Sequence, residues 1–576
     1  MFEHVFADHG DAIAFETFDE KISYARLDRE SRELAERLLE TAPAPGSIVA
    51  IELDRGPGLG LAVVATLRAG LGCLVLDPRL PVDRAVDQIA QVRAGRTIRR
   101  GIDSNITIDI RGSHKTNLID QAGIAGQVTA HPGFPAYVVF TSGSTGRPKG
   151  VEVSRGALAA HLHSAAEAFG YGPTDRALHF APQSFDVFYE QLLLPLSVGA
   201  TVFWREGTVW GNVELSAAVV DHNLTVVNLP TSFFRQWIGG FSRPAPKLRV
   251  VIAGAEEMTR SDVKVWREHP LAAHAALINA YGPTESVVTA SCHLVDPTNL
   301  YEIGVPIGAG MPGRSLVVAG LEEPPVGELG EVAIRGILAS HYVGNPRLTA
   351  ALFRPLNDGA REYRTGDICT TTDCEFVFGR RVDSQMKVRG HRIEAQEVAT
   401  AVRELLLVSD VQVLTHDGLS LTAFYVAPDG EIAFQEMVTK VASRLPAYMI
   451  PSNWIRCERF PTSLNGKVDV KALAAQLAAD PISTDFRPEP KSAAAGSLEE
   501  QISALVRTVL GVDSVTAATS FFDIGAHSLQ LLELLDHVDQ EFGVQIGIVS
   551  FFEEPTINGL VASVNAQQAV DAELVR

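Results

Sequence analysis

The chain has 576 residues, of which 46% are hydrophobic and 20% charged, so we expect a soluble globular protein with two or more domains. Its net charge of -20 would repel phosphate backbones and acidic lipids, which argues against nucleic acid or membrane partners. No apolar run approaches the roughly 20 residues of a membrane span, and we see no signal peptide. Five scattered cysteines without a Cys-x-x-Cys pair fit a reducing cytoplasm.

Short β-rich runs alternate with helical stretches through the first 480 residues. The runs cover residues 48–53, 137–140, 200–204 and 248–253. This alternation predicts an α/β fold. A glycine-rich and charged stretch near Val382 and Asp383 precedes a smaller α/β pattern. We therefore expect a large core over 1–382 and a small subdomain over 383–480.

The C-terminal part is set apart by composition. Residues 481–497 are rich in Pro, Ser and Ala and predict a linker. Residues 498–576 contain 12 acidic and 2 basic residues, and their apolar side chains recur at helical spacing. Examples are Ile502 with Val506 and Leu531 with Leu535. A small bundle of four helices is expected here.

The sequence TSGSTGRPKG, at 141–150, follows the apolar strand 137–140. Closely spaced glycines and hydroxyls let backbone N–H groups curl around phosphate oxygens, and Lys149 adds a mobile positive charge. The spacing is not that of a Walker loop. A plain flexible turn is the alternative, which the preceding strand and the trailing Pro-Lys-Gly make less favourable.

Further motifs follow in register over about 480 residues. They are SYARL at 23–27, LRAG at 67–70, NAYGPTE at 279–285, GELGEVAIRG at 327–336, YRTGD at 363–367, QMKVRGHRIE at 385–394 and NGKVD at 465–469. Together with the phosphate loop, they resemble the adenylation domains of nonribosomal peptide synthetases, in the adenylate-forming superfamily. The resemblance implies that ATP and an amino acid form an aminoacyl adenylate, with Mg²⁺ as cofactor.

The resemblance also implies roles for individual residues of the ATP site. Glu285 would be the Mg²⁺ ligand, Asp367 would hold the ribose hydroxyls and Lys467 would bridge the substrate carboxylate and the α-phosphate. Asp383 resembles the hinge about which the small subdomain rotates, although Arg380 stands where the family has glycine. The remaining ATP residues are Thr141, Ser142, Gly143, Ser144, Thr145, Gly146, Tyr281 against adenine, and Thr284 and Arg381 near the phosphates. Thr141, Lys149, Asp383 and Lys467 form the expected catalytic set.

Asp186 resembles the residue that receives the α-ammonium group of the amino acid. The rest of the pocket would be Val187, Glu190, Ser232, Val251, Ala253, Ala280, Val288 and Thr289, with Lys467 on the carboxylate. A buried carboxylate at Glu190 needs a partner. That partner is either a basic or strongly hydrogen-bonding substrate side chain, such as that of arginine, ornithine or lysine, or a group of the protein itself.

The sequence FFDIGAHSL, at 521–529, resembles the attachment motif of a peptidyl carrier domain. Ser528 would then carry 4′-phosphopantetheine, whose phosphate suits a helix N-terminus. A simple N-cap is the alternative reading of this serine. The resemblance implies a phosphopantetheinyl transferase as partner and leaves open the need for a small activator protein.

Two other functions share part of this residue set. An acyl-CoA synthetase would share the ATP loop but would need neither Asp186 nor a fused carrier, and an inactive scaffold would not need Lys149, Glu285, Asp367 and Lys467. Neither a condensation motif nor a Gly-x-Ser-x-Gly elbow is present in the sequence. We therefore expect a stand-alone loading module, whose product a condensing or tailoring enzyme would take over.

Overall fold

The structure of the chain is a computed structural model. It describes residues 3–510 apart from 101–105, 111–130, 144–146, 206–209, 321–326, 373–374, 383–384, 389, 407, 416–419, 428–433, 458, 462–467, 469–471 and 475–496. From the C-terminal part it also describes 515–519, 521, 531, 534–535, 537–538, 542, 544, 546, 551 and 554–574. Contacts divide the chain into two compact units, Met1–Glu394 and Ala395–Arg576. The domain boundary expected at 382/383 and the linker at 481–497 stay predictions.

The helices within the described residues are as follows. They are α1 (Glu3–Asp8), α2 (Tyr24–Glu40), α3 (Pro57–Arg68), α4 (Val82–Gln91), α5 (Arg155–Phe169), α6 (Val187–Ser197), α7 (Asn212–Asp221), α8 (Thr231–Gly240), α9 (Arg260–Glu268), α10 (Pro346–Leu352), α11 (Ala395–Leu406), α12 (Phe434–Ala442), α13 (Leu498–Leu510) and α14 (Ile557–Leu574). Short 3₁₀ helices cover Pro270–Ala273, Thr284–Ser286 and Ala447–Met449.

The described residues also form β-strands. They are β1 (Ile13–Glu16), β2 (Lys21–Ser23), β3 (Ile48–Glu52), β4 (Gly72–Leu76), β5 (Arg96–Arg100), β6 (Ile106–Ile110), β7 (Pro135–Thr141), β8 (Lys149–Ser154), β9 (Arg176–His179), β10 (Thr201–Trp204), β11 (Val226–Pro230), β12 (Val250–Gly254), β13 (Ala276–Tyr281), β14 (Ser291–Leu294), β15 (Pro306–Gly310), β16 (Arg314–Val318), β17 (Leu329–Gly336), β18 (His341–Tyr342), β19 (Phe353–Pro355), β20 (Arg361–Thr371), β21 (Phe376–Arg381), β22 (Gln385–Val388), β23 (His391–Glu394), β24 (Asp410–Leu414), β25 (Thr422–Val426) and β26 (Asn453–Arg456).

Two large sheets and one hairpin make up the first unit. In the described residues, one sheet has the order β16-β17-β20-β21-β15-β14-β13-β12-β11-β9-β10-β1-β2, with β19 beside β20. The other has the order β18-β8-β7-β4-β3-β5-β6, and β22 pairs with β23. β9 to β13 include the parallel series β9-β11-β12-β13, whose carboxyl ends meet at one edge, a usual place for a ligand site in α/β folds. The predicted α/β fold is confirmed.

Helix α6 runs through the interior of the first unit. All of its residues from Phe188 to Leu196 are buried, as expected for a helix covered on every side. Its neighbour α5 starts at a Ser154 cap, whose hydroxyl accepts from the N–H of Ala157, and ends at Gly170 in the left-handed region (φ 62°). The two helices pack against each other and place polar side chains in an otherwise apolar core.

The second unit contains a three-stranded sheet, β24-β25-β26, and the two terminal helices α13 and α14, which pack together. The apolar spacing noted in the sequence marks their core, since Ile502, Val506, Leu531 and Val538 are fully or almost fully buried. Across the described residues, no helix has the length and apolar character needed to cross a bilayer.

Candidate active site

The phosphate loop joins β7 to β8. These strands pair antiparallel up to Thr141, opposite Lys149, so the loop closes tightly between them. A Cβ on Gly143 would lie 1.9 Å from the carbonyl oxygen of Arg147, and this position therefore admits only glycine. The hydroxyl of Thr141 is buried without a hydrogen-bond partner among the described residues. An unpartnered donor at the mouth of this loop fits a phosphate oxygen.

Glu285 lies in the short 3₁₀ helix after β13 and is completely buried. Arg392 donates to its Oε2 at 2.9 Å, the hydroxyl of Tyr342 donates to Oε1 at 2.6 Å, and Lys149 Nζ is 3.7 Å from Oε1. Burial alone would raise the pKa of Glu285, but Arg392, Lys149 and Tyr342 outweigh it and hold the value at about 2. A permanently ionised carboxylate beside the phosphate loop fits a Mg²⁺ ligand.

Asp367 lies in β20 and is also buried. The hydroxyl of Tyr281 donates to its Oδ2 at 2.6 Å, and Arg381 Nη1 donates to Oδ1 at 2.5 Å. The structure thus places Tyr281 and Arg381, expected on the adenine and the phosphates, on the carboxylate expected to hold the ribose. Both contacts orient that carboxylate.

Asp186 caps the N-terminus of α6, where its Oδ1 accepts from the N–H of Val187 at 2.8 Å. Burial raises the pKa of Asp186 to about 6; hydrogen bonds from Thr284 and Val187 oppose the rise, and the charges of Glu190 and Glu285 add to it. Within the described residues, Asp186 forms no ion pair. It is therefore a buried carboxylate that no cation of the described residues compensates.

Glu190 lies one helical turn further along α6 and is 1% exposed. Its Oε2 accepts from His161 Nε2 at 2.9 Å and from the Thr289 hydroxyl at 3.0 Å, and its Oε1 accepts from Asn228 Nδ2 at 3.1 Å. The sequence leaves two kinds of partner open for Glu190, a substrate side chain or a group of the protein. The structure shows three protein groups bound to it. A basic substrate is therefore not required to explain this burial.

The other residues expected in the substrate pocket lie on several elements of the first unit. Val251 and Ala253 lie in β12 and Ala280 in the neighbouring β13, near the carboxyl ends of these parallel strands. Val288 and Thr289 follow the 3₁₀ helix and are buried. Val187 at the start of α6 and Ser232 at the start of α8 are partly buried. Lys467, Asp383, Ser528, Ser144, Thr145 and Gly146 lie outside the described residues, and their roles stay predictions.

Several residues of the site were not singled out from the sequence. Arg392 belongs to a quoted motif, and its place in that motif was the available signal. Tyr342, His161, Asn228 and Arg314 carry no such signal, because a single polar residue in an apolar stretch is indistinguishable from an ordinary core residue until its partners are known.

Two family models match the chain. Residues 2–343 match the family model "AMP-binding enzyme", and residues 500–564 match "Phosphopantetheine attachment site". The first match covers more than half of the chain. The chain therefore belongs to the family of AMP-binding enzymes, and it joins an adenylation domain to a carrier domain in the manner of nonribosomal peptide synthetases.

Two curated relatives are peptide synthetases. The chain is 33% identical to phosphinothricin tripeptide synthetase PhsC of Streptomyces viridochromogenes over 97% of its own length and 52% of that protein. It is 30% identical to the dimodular nonribosomal peptide synthase of Bacillus subtilis, over 100% of its own length and 24% of that protein. The chain thus spans about half or less of these two relatives.

Solved structures confirm the fold. The holo form of PA1221, a nonribosomal peptide synthetase protein containing adenylation and PCP domains and bound to a vinylsulfonamide inhibitor, aligns with a TM-score of 0.75. The alignment covers 97% of this chain and 95% of that one at 22% identity. The attachment domain is the site of 4′-phosphopantetheine, and adenylate-forming enzymes use ATP and Mg²⁺.

The hydrogen bond between Tyr281 and Asp367 leads to the first prediction. Tyr281→Phe should raise the KM for ATP by about tenfold, because a hydrogen bond to a charged group contributes roughly 1.5–3 kcal/mol. The KM for the amino acid should change little. Steady-state ATP–pyrophosphate exchange measures both constants.

Tyr24→Phe is the matched control for Tyr281→Phe. It removes a buried hydroxyl that donates to the carbonyl of Ala200 at 2.7 Å, without touching Asp367. An equal rise in the KM for ATP in both variants would contradict a specific role of Tyr281.

Proposed function

We propose that this chain activates an amino acid as an aminoacyl adenylate and transfers the acyl group to a 4′-phosphopantetheine thiol on Ser528. The observation that carries the proposal is Asp186, a buried carboxylate without a protein cation among the described residues. An α-ammonium group is the ligand that would compensate it. Fatty and aryl acids lack such a group, so Asp186 favours amino acids over the substrates of acyl-CoA synthetases.

The charges around Glu285 support the first half-reaction. A substrate carboxylate has to approach the α-phosphate of ATP, and both are anions, so the site has to neutralise charge and align the reactants. Lys149 and Arg392 each contact one oxygen of Glu285, and we propose that they also bind phosphate oxygens of ATP. Glu285 would hold Mg²⁺, which would neutralise phosphate charge. Lys467 would bridge the substrate carboxylate and the α-phosphate, as the resemblance implies.

The second half-reaction needs the pantetheine thiol at the same adenylate. We propose that rotation about Asp383 withdraws Lys467 and admits the carrier arm. A phosphopantetheinyl transferase would first modify Ser528, and a condensing or tailoring enzyme would then act on the tethered amino acid. We place these reactions in the cytoplasm, as the cysteine pattern suggests.

Lys467 provides the direct test of adenylation. Lys467→Ala should lower the rate of ATP–pyrophosphate exchange by on the order of 10²–10³, because one cation that stabilises the transition state is lost. Lys440→Ala is a suitable control, since Lys440 lies in α12 and pairs with Glu436 one turn away. Exchange at the wild-type rate in Lys467→Ala would refute the assignment.

Ser528 tests the loading step separately. Treatment with a phosphopantetheinyl transferase and coenzyme A should add the mass of one phosphopantetheinyl group, and Ser528→Ala should abolish the gain while exchange persists. Intact-protein mass spectrometry gives the result, and Ser520→Ala is the neighbouring control. Modification of the Ser528→Ala variant would place the attachment site elsewhere.

The pKa of Asp186 predicts a pH dependence. Since burial holds this pKa at about 6, lowering the pH through 6 protonates the carboxylate of the free enzyme and removes the counter-charge of the ammonium group. We expect kcat/KM for the amino acid to fall by about tenfold per pH unit below this point. A profile of kcat/KM between pH 5 and 8 measures this. A flat profile would contradict the assignment of Asp186.

A further inference from the structure

Glu190 lies at one end of a row of three buried, hydrogen-bonded side chains, Arg314, His161 and Glu190, which we call the polar chain. Arg314 Nη2 donates to His161 Nδ1 at 3.1 Å, and His161 Nε2 lies 2.9 Å from Glu190. A guanidinium can only donate, so Nδ1 has to accept and the Nε2 proton has to point to Glu190. Burial lowers the pKa of His161, which therefore links the two charges as a neutral ring.

This chain of contacts compensates Glu190 from within the protein. His161 is fully buried and Arg314 is 7% exposed, so water screens the charges of this chain of contacts only weakly. The negative charge of Glu190 is matched by Arg314 through one intervening ring. A basic substrate side chain would add a second buried cation beside Arg314. No further anion of the described residues would compensate it, and burying an uncompensated charge is costly.

The carboxylate of Glu190 still has room for one hydrogen bond. An ionised carboxyl group offers about four acceptor positions, and His161, Thr289 and Asn228 occupy three of them. Two contacts fall on Oε2 and one on Oε1. The remaining position on Oε1 can accept from a substrate side chain.

Two buried polar atoms close to Glu190 have no partner within the described residues. They are Arg314 Nη1 and the hydroxyl of Tyr137. Tyr137 is fully buried, and its ring stacks on Tyr189, the residue before Glu190, at 4.1 Å. Burial raises the pKa of Tyr137, and the charges of Asp186 and Glu190 add to the rise, which agrees with a hydroxyl near both carboxylates. Buried donors without partners are rare and call for a ligand or a water molecule.

We propose that the amino acid taken by this site has an uncharged side chain that both donates and accepts a hydrogen bond. A carboxamide, an imidazole or a hydroxyl group meets this condition. Its donor would bind Glu190 Oε1, and its acceptor would bind the Tyr137 hydroxyl or Arg314 Nη1. His161 and Arg314 are then positioning residues that hold the Glu190 carboxylate in a fixed orientation. The inference rests on the proposed adenylation.

The test is ATP–pyrophosphate exchange by the full chain with three groups of amino acids. The neutral polar group is glutamine, asparagine, histidine, serine, threonine and tyrosine; the basic group is arginine, lysine and ornithine; the apolar group is leucine, valine and phenylalanine. We expect the best neutral polar amino acid to exceed every basic and apolar one in kcat/KM by about tenfold or more. A basic or apolar amino acid in first place would overturn the inference alone. Exchange with none of the amino acids would contradict the proposed function, and the inference with it.

Variants of the polar chain test the positioning role. His161→Phe should lower the preference for the best substrate over an apolar analogue of similar size by about tenfold, with the KM for ATP unchanged. His161→Gln should restore part of the preference, because an amide can accept from Arg314 and donate to Glu190. His163→Phe, on the exposed side of the same helix, is the control. Unchanged preference in His161→Phe would overturn the role.

Tyr137→Phe repeats the test with one hydroxyl removed and almost no change of volume. It keeps the inference testable if the His161→Phe variant fails to fold. We expect a several-fold loss of kcat/KM for the best substrate and none for the apolar analogue. Equal effects on both amino acids would overturn the contact with Tyr137.

Discussion

Burial of carboxylates is the constraint on which this active site depends. Asp186, Glu190, Glu285 and Asp367 are all at most 7% exposed. An ionised carboxylate removed from water costs several kcal/mol unless opposite charge or hydrogen bonds compensate it. The arrangement of the surrounding arginines, tyrosines and histidine follows from this requirement.

The four carboxylates differ in how they are compensated. Glu285 and Asp367 each accept from an arginine and from a tyrosine hydroxyl, so both carboxylates are held in fixed orientations. Asp186 has hydrogen bonds but no ion pair within the described residues, and its raised pKa reflects the missing charge. A site that binds an ammonium group needs one anion of this kind. The compensated carboxylates suit a ligand that carries both positive and negative charge, such as a nucleotide with its Mg²⁺.

Arg314 connects this electrostatic requirement to the backbone. Its guanidinium donates to the carbonyl oxygens of Ser286 and Val287, in addition to His161. Val287 and Val288 both have φ of 63°, an unfavourable conformation for β-branched residues. Arg314 thus stabilises the strained segment that follows Glu285. Through His161 it also compensates the charge of Glu190. One side chain thus contacts both the backbone that follows Glu285 and the histidine that binds Glu190.

The sequence alone determined the fold class and the family, and it singled out the four carboxylates that the structure buries. Strand alternation and ordered motifs are local properties of the chain. They can therefore be recognised without knowing which segments contact each other in the fold. The helical spacing of Ile502 and Val506 likewise predicted the core of the terminal helices.

The tertiary structure decided what those carboxylates contact. His161 and Arg314 are 153 residues apart, and Glu190 and Thr289 are 99 apart, so no local pattern could pair them. The sequence left open whether Glu190 binds a substrate cation or a protein group, and folding brought three protein donors to it. The physical reason is that a buried charge takes its partners from whatever segments the sheets bring together, and their separation along the chain has no bearing on that contact.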